Sequence, residues 1–132
     1  RQLLSHTGGA GDIFTPEYDA KRLQVRTLAD YETLFGARAQ DTTPDGKGAY
    51  SNYGFVLLGR IVEAVSEFAS RCAEKLRQQD SVAAAITVFF TTSPYRQHDK
   101  QHSVSVTVPL VRPTADTRLL VGSAAATAAR HF

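Results

Sequence analysis

Ser103, Ser105 and Thr107 alternate with Val104, Val106 and Val108, so a strand through them turns three hydroxyls to one side and three valines to the other. Arg96 and Lys100 stand just upstream. Neutral hydroxyl donors flanked by cations suit contacts to phosphate oxygens. The plainer reading is a solvated strand face beside an ordinary charged loop. His98 and His102 are four residues apart, a spacing that brings side chains together only on a helix, and here they sit in a loop entering a strand. With no Cys or acidic cluster beside them, no metal site is expected. Gly8-Gly9-x-Gly11 is not followed by the Lys and Ser/Thr of a phosphate-binding loop and no strand precedes it, so it reads as a flexible loop. Cys72, the one cysteine, falls on the apolar side of a helical pattern and is expected to be a packed thiol rather than a reactive one. No cofactor is implied.

The elements that would carry these groups follow from periodicity. From Tyr50-Ser51-Asn52 to about Gln79, apolar residues recur at Phe55, Leu58, Ile61, Val62, Val65, Phe68, Ala69, Cys72 and Leu76, in steps of three and four that predict one long helix. Gly59 is its weak point, costing about 1 kcal/mol relative to Ala. Alternation over Val82–Thr91 and again through Val104–Val108 predicts two antiparallel strands. Pro113-Thr114-Ala115-Asp116 opens an Ala-rich helix to about Arg130, with Asp116 suited to its positive start and Arg130 to its negative end. Ahead of the long helix, Gly8, Gly9, Gly11 and Pro16 mark residues 1–27 as loop. Leu28–Phe35 reads as a short helix, with Thr27 and Asp30 as a capping box and Gly36 as a left-handed stop. Pro44-Asp45-Gly46 reads as a turn.

Composition bounds the rest. Apolar residues make up 42% of the chain and charged ones 21%, which excludes wholesale disorder, while a single cysteine excludes an intramolecular disulfide framework. The longest apolar run, Phe55-Val56-Leu57-Leu58, ends at Gly59-Arg60, so no membrane-spanning helix and a soluble protein are expected. The chain has no Met and begins at Arg1 without a leader pattern, which reads as an excised piece. The net charge of +2 hides a division: residues 1–66 hold seven bases against eight acids, and residues 67–132 hold eight bases against five acids. Eight of the nine glycines fall in the first half, yet no linker marks the change.

The first half resembles the serine β-lactamase-like family, which includes class C β-lactamases and related esterases and peptidases. Leu3-Leu4-Ser5-His6-Thr7-Gly8-Gly9, Tyr50-Ser51-Asn52 and Tyr53–Glu63 carry the resemblance, in order and at the family's spacing, over about residues 1–66. It implies that Tyr50 serves proton transfer with a Ser-x-x-Lys pair and that Asn52 helps to hold substrate. A tyrosine of pKa near 10 is a poor base without cations beside it. No serine of this chain has Lys three residues later, and nothing after Tyr50 reads Lys-Thr-Gly or His-x-Gly. Tyr50 and Asn52 are therefore vestigial on this reading, no catalysis is expected, and His6 is given no catalytic role.

The second half resembles the little-finger domain of Y-family translesion DNA polymerases, in the UmuC branch. Glu67–Arg77, Val88-Phe89-Phe90-Thr91-Thr92-Ser93-Pro94-Tyr95, Val108-Pro109-Leu110 and Pro113-Thr114-Ala115-Asp116-Thr117 carry it, over about residues 66–132. That domain runs β-α-β-β-α-β, and this chain supplies the inner α-β-β-α. The resemblance implies backbone contacts to duplex DNA, without chemistry, through Arg96, Lys100, Ser103, Ser105 and Thr107. Parents of these two kinds leave the cellular compartment open.

Each parent has a helix where the halves meet, and the splice at Ser66 keeps the apolar phase. The expectation is an artificial chimera that folds as a single composite α+β domain, with residues 1–66 β-lactamase-like and 67–132 little-finger-like. A long spliced central helix and a C-terminal helix would pack on a small antiparallel sheet, behind a largely irregular N-terminal part with one short helix. Two strands with open edges are marginal, so self-association as a dimer or higher oligomer is expected.

Overall fold

A computed structural model describes residues 2–39, 41, 43, 46–95 and 101–131. The order of elements is α1 (Pro16–Lys21), α2 (Leu28–Phe35), α3 (Asn52–Gln78), β1 (Ala83–Thr91), β2 (Ser103–Thr114) and α4 (Thr117–His131). The α+β class, the long helix, the antiparallel pair and the C-terminal helix all stand as the periodicity requires. The chain divides into two compact units, Arg1–Ile61 and Val62–Phe132, and α3 contributes residues to both.

In the first unit, α1 lies inside the segment read as loop. Thr15 caps it by accepting the Tyr18 N–H at 3.2 Å, and Pro16 occupies the first turn, where its missing N–H costs nothing. The capping box of α2 forms as expected: Thr27 Oγ1 accepts the Asp30 N–H at 3.2 Å, and Asp30 Oδ2 accepts the Thr27 N–H at 2.8 Å. The Arg26 N–H first, and the Thr27 N–H second, hold the Asp30 carboxyl below its ordinary pKa. Gly36 ends α2 differently from expectation. Its φ is −64°, an ordinary helical value, and its N–H bonds to the Glu32 carbonyl at 2.7 Å, so the helix closes through a right-handed turn rather than a left-handed one. Gly46 N–H donates to the Thr43 carbonyl at 3.0 Å, while Pro44 and Asp45 of the expected turn lie outside the described residues.

The core of this unit is Ile13, Phe35 and Tyr53, with Tyr18, Tyr31, Val56 and Leu57 packed around it. Tyr18, Tyr31, Phe35 and Tyr53 form a run of ring contacts at 5.6–6.5 Å between centroids, within the range where aromatic pairs add to simple burial. Burial first, and the Glu32 carboxylate second, push the Tyr53 phenol above its usual pKa. Gly59 has a structural reason. A Cβ there would come within 2.6 Å of Leu28 Cδ1, so glycine lets α2 and α3 approach closely.

In the second unit, α3 ends in a Schellman arrangement. Asp80 takes φ 48°, its N–H bonds to the Arg77 carbonyl at 3.2 Å, and the Ser81 N–H bonds to the Leu76 carbonyl at 2.9 Å. Arg77 Nη1 then donates to the Ala115 carbonyl and Thr117 Oγ1, both at 2.9 Å, joining the end of α3 to the start of α4. Strand β2 runs through Thr114, so Pro113 and Thr114 belong to the strand and not to the helix start expected of them. Asp116 accepts the Leu119 N–H at 3.0 Å at the head of α4. The buried face of α4 is Leu120, Ala124, Thr127 and Ala128, and α4 lies against both strands. Small residues on that face permit close helix-on-sheet packing.

The apolar stripe of α3 is only partly inward. Tyr53, Val65 and Ala73 are buried, whereas Phe55, Val62 and Phe68 are 49–69% exposed. Cys72 is exposed too, contrary to the packed thiol expected. The buried residue is its neighbour Ala73, and one residue along a helix turns the side chain by about 100°.

Candidate functional site

Tyr50, Ser51 and Asn52 stand at the mouth of α3, and the glycine-rich loop folds back on them. Ser51 Oγ accepts the Gly54 N–H at 2.8 Å, the pattern of a residue that caps a helix, and donates in turn to the Gly11 carbonyl. The Ser51 N–H donates to His6 Nδ1 at 3.2 Å. The His6 ring packs on Tyr50 at 4.5 Å and Phe55 at 5.3 Å between centroids. His6 and Gly11 have φ 57° and 66°, both left-handed, and a Cβ on Gly11 would collide with the Asp41 carboxylate.

Asp12 organises the cluster. Its Oδ1 accepts the Ile13 N–H at 2.8 Å, the Asn52 N–H at 3.1 Å and Asn52 Nδ2 at 3.0 Å. Burial raises the Asp12 pKa, but those donors and the Arg38 charge outweigh it and hold the carboxyl below the ordinary value. An anion over the first turn of α3 also meets the positive end of the helix dipole. Arg38 closes the loop from the other side. Its Nη2 donates to the carbonyls of Ala10 at 3.2 Å and Asp12 at 2.9 Å, and its guanidinium lies 5.0 Å from the Phe35 ring centre.

Tyr50 and Asn52 are thus brought together, with the Tyr50 O–H donating to Asn52 Oδ1 at 3.3 Å. Both ends of the Asn52 amide are occupied, one by Tyr50 and one by Asp12. Tyr50 itself is 66% exposed. The hollow beside them, lined by Leu3, His6, Gly8, Ser51 and Gly54, measures about 10 Å³, room for roughly one water. A larger depression of about 320 Å³ lies between α1 and α2, lined by residues such as Glu17, Lys21, Asp30 and Thr33 and without Tyr50 or Asn52. Sequence reading missed Asp12 because its partner Asn52 is 40 residues away.

Replacing Asp12 with Asn is expected to cost about 1 kcal/mol at neutral pH, the difference between hydrogen bonds to a charged and to a neutral acceptor. The native carboxyl titrates below its unfolded value, so its stabilisation is full above the unfolded pKa of about 3.9 and is lost as pH falls through the lower folded one. Urea midpoints measured from pH 6 down to 2 should therefore fall more steeply for the parent chain than for Asp12→Asn.

The second candidate surface lies on the sheet. Ser103, Ser105 and Thr107 are all exposed, and Val104, Val106 and Val108 turn inward. They share their face with Thr87 and Phe89 of β1, which pair with Thr107 and Ser105. The Thr87 and Thr107 hydroxyls are 2.9 Å apart. Arg96 and Lys100 lie outside the described residues, as does His98. His102 is exposed, and among the described residues no three His, Cys, Asp or Glu side chains gather. No helix among them is long and apolar enough to cross a membrane.

Two family models match the chain, and they overlap. Residues 1–79 match the one described as Beta-lactamase, and residues 55–132 match the one described as impB/mucB/samB family C-terminal domain. Residues 55–79 are common to both, and all but the last lie within α3. The chain is 41% identical over 68 residues to Protein MucB of Salmonella typhimurium, a stretch that covers 52% of this chain and 16% of that protein. It is 41% identical over 66 residues to Protein MucB of Escherichia coli, covering 50% and 16%, and 36% identical over 62 residues to Protein UmuC of Salmonella typhimurium strain LT2, covering 47% and 15%. The chain thus spans about a sixth of the length of these curated relatives. No solved structure matches it.

Proposed function

Because the chain belongs to the Beta-lactamase family over residues 1–79 and to the impB/mucB/samB family C-terminal domain over residues 55–132, we infer that it is a chimera of two family segments, folded as one composite domain and without catalysis of its own. One observation carries this: residues 55–79 match both families, and all but the last of them belong to one helix, leaving no linker between two complete domains. Segment shuffling followed by selection for folding yields such a chain, since a member survives only when its apolar faces find partners.

The lack of turnover follows from the residues. Tyr50 has no Ser-x-x-Lys pair to serve in this chain, and its hydroxyl is engaged by an amide that Asp12 already holds. Loss of a nucleophile costs about 10⁶ in rate in a triad enzyme. A chromogenic β-lactam should therefore show no hydrolysis above the buffer blank. Saturable turnover that disappears in Tyr50→Phe would overturn the reading.

A second reading is favoured by the open face of the sheet. The exposed hydroxyls of Ser103, Ser105 and Thr107, in the half of the chain that carries the net positive charge, suit weak binding to the backbone of duplex DNA without sequence preference. With about three phosphate contacts, affinity should fall some 40-fold between 50 and 200 mM salt, from a slope near −0.9 per contact. Anisotropy of a labelled duplex that stays flat at low salt removes this reading and leaves the first intact.

A further inference from the structure

We propose that the outer edge of β1 is a self-association site, which pairs antiparallel with β1 of a second copy of this chain in a register centred on Thr87. The hydrogen-bond phase of the hairpin decides which groups face outward. The Thr92 N–H donates to the His102 carbonyl at 2.9 Å, and the register from Thr91↔Ser103 to Ala85↔Pro109 continues without a shift. Bonded and non-bonded pairs alternate along an antiparallel ladder, so 90/104, 88/106 and 86/108 exchange their bonds inward. The N–H and C=O groups of Ala85, Thr87, Phe89 and Thr91 then point away from β2. The 2.9 Å separation of the Thr87 and Thr107 hydroxyls agrees, because side chains approach most closely at non-bonded pairs.

The two edges of the sheet are not alike. On β2 the outward positions reach Pro109, which has no N–H to offer, and the unpaired stretch beyond it holds Arg112 and Pro113. Proline and charge are the usual means of blunting an edge. The β1 sequence, Ala-Ala-Ala-Ile-Thr-Val-Phe-Phe-Thr, has neither, and among the described residues no strand covers its outer side. A neutral strand with no charge pattern selects no charged partner. It does complement itself: centred on Thr87, the register sets Phe89, 68% exposed, opposite Ala85 of the second copy, a large side chain over a small one. Opposed residues point to the same face, so the pairing builds a four-stranded sheet, with both hydroxyl rows on its open side and α4 of each copy on the other. This stands independently of the DNA reading.

Sedimentation of the full chain from low micromolar to millimolar concentration tests it. The expected limit is a mass about twice 14.4 kDa. Thr87→Pro removes one outward N–H and leaves the ladder to β2 in place, so it should weaken association at least about tenfold, while Ser105→Pro, on the outer edge of β2, should leave it unchanged. Should Thr87→Pro lose its circular dichroism, Thr87→Lys decides instead. It sets like charges face to face, and association should fall at low salt and recover at high salt. A parent chain that stays at 14.4 kDa to millimolar concentration overturns the proposal. Association that Ser105→Pro abolishes and the Thr87 variants leave intact overturns it equally.

Discussion

Phe35→Ala is expected to destabilise the chain by about 3–5 kcal/mol, the cost of emptying a large aromatic site that cannot collapse. Phe35 is 2% exposed, and it is where the aromatic run from α1 and α2 meets Tyr53 of α3. Its ring also supports Arg38, which holds the Ala10 and Asp12 carbonyls, so the loss reaches the loop that closes over the helix mouth. Small domains are stable by about 5–15 kcal/mol in all, and this change removes a large part of that. The chain has five tyrosines and no tryptophan, so tyrosine fluorescence, with Tyr18, Tyr31, Tyr50 and Tyr53 in the first unit, follows that unit through a urea titration. With a slope near 1–3 kcal/mol per molar, the midpoint should move by more than about 1 M. Circular dichroism, which also reports α4 and the rest of α3, should move with it if the composite unfolds in one step. A fluorescence midpoint unchanged in Phe35→Ala would mean that the aromatic run does not hold the first unit together.

Ser66→Pro is the second large effect. Ser66 lies in the middle of α3, four residues after Val62, whose carbonyl the proline ring would strike and whose hydrogen bond it would remove. The cost in a helix interior is about 3 kcal/mol or more. Because α3 buries Tyr53 in the first unit and Val65 and Ala73 in the second, both fluorescence and circular dichroism should report the loss. Ser66→Ala serves as the comparison and is expected to be neutral or slightly stabilising, since alanine is the better helix former.

What could be read from the sequence was what is local and periodic. The valine alternation of β2, the three-four spacing of α3 and the Thr27–Asp30 box each need only neighbours within a few residues, and each stands in the structure. Pro16 was misleading because proline both breaks helices and begins them; with Thr15 before it and Glu17 after it, the beginning prevails. Pro113 misled in the opposite sense, and ends up in the irregular tail of an edge strand. Helical periodicity names an apolar side but not how much of it finds a partner, which is why Phe68 and Cys72 are exposed while Ala73 is buried. The Asp12 cluster was illegible for a different reason. Asp12 and Asn52 meet only after some 40 residues have folded between them, and no spacing rule reaches that far.

Of the two candidate surfaces, the hydroxyl row was legible in full, because alternation fixes the side to which each residue turns. Tyr50 and Asn52 were legible as a motif but not as a geometry. In place they anchor the start of α3, with the tyrosine hydroxyl on the amide and the amide on the carboxylate.

A chimera folded as one unit requires α3 to be one helix shared by two family segments, and amide hydrogen exchange along Asn52–Gln78 tests that most directly. The first four N–H groups of a helix have no internal partner and are set aside. From Val56 onward, slow exchange should run without a break through Ser66 to the last turn. Fast exchange around residues 62–68, between two separately protected blocks, would contradict it and make the chain two adjoining fragments.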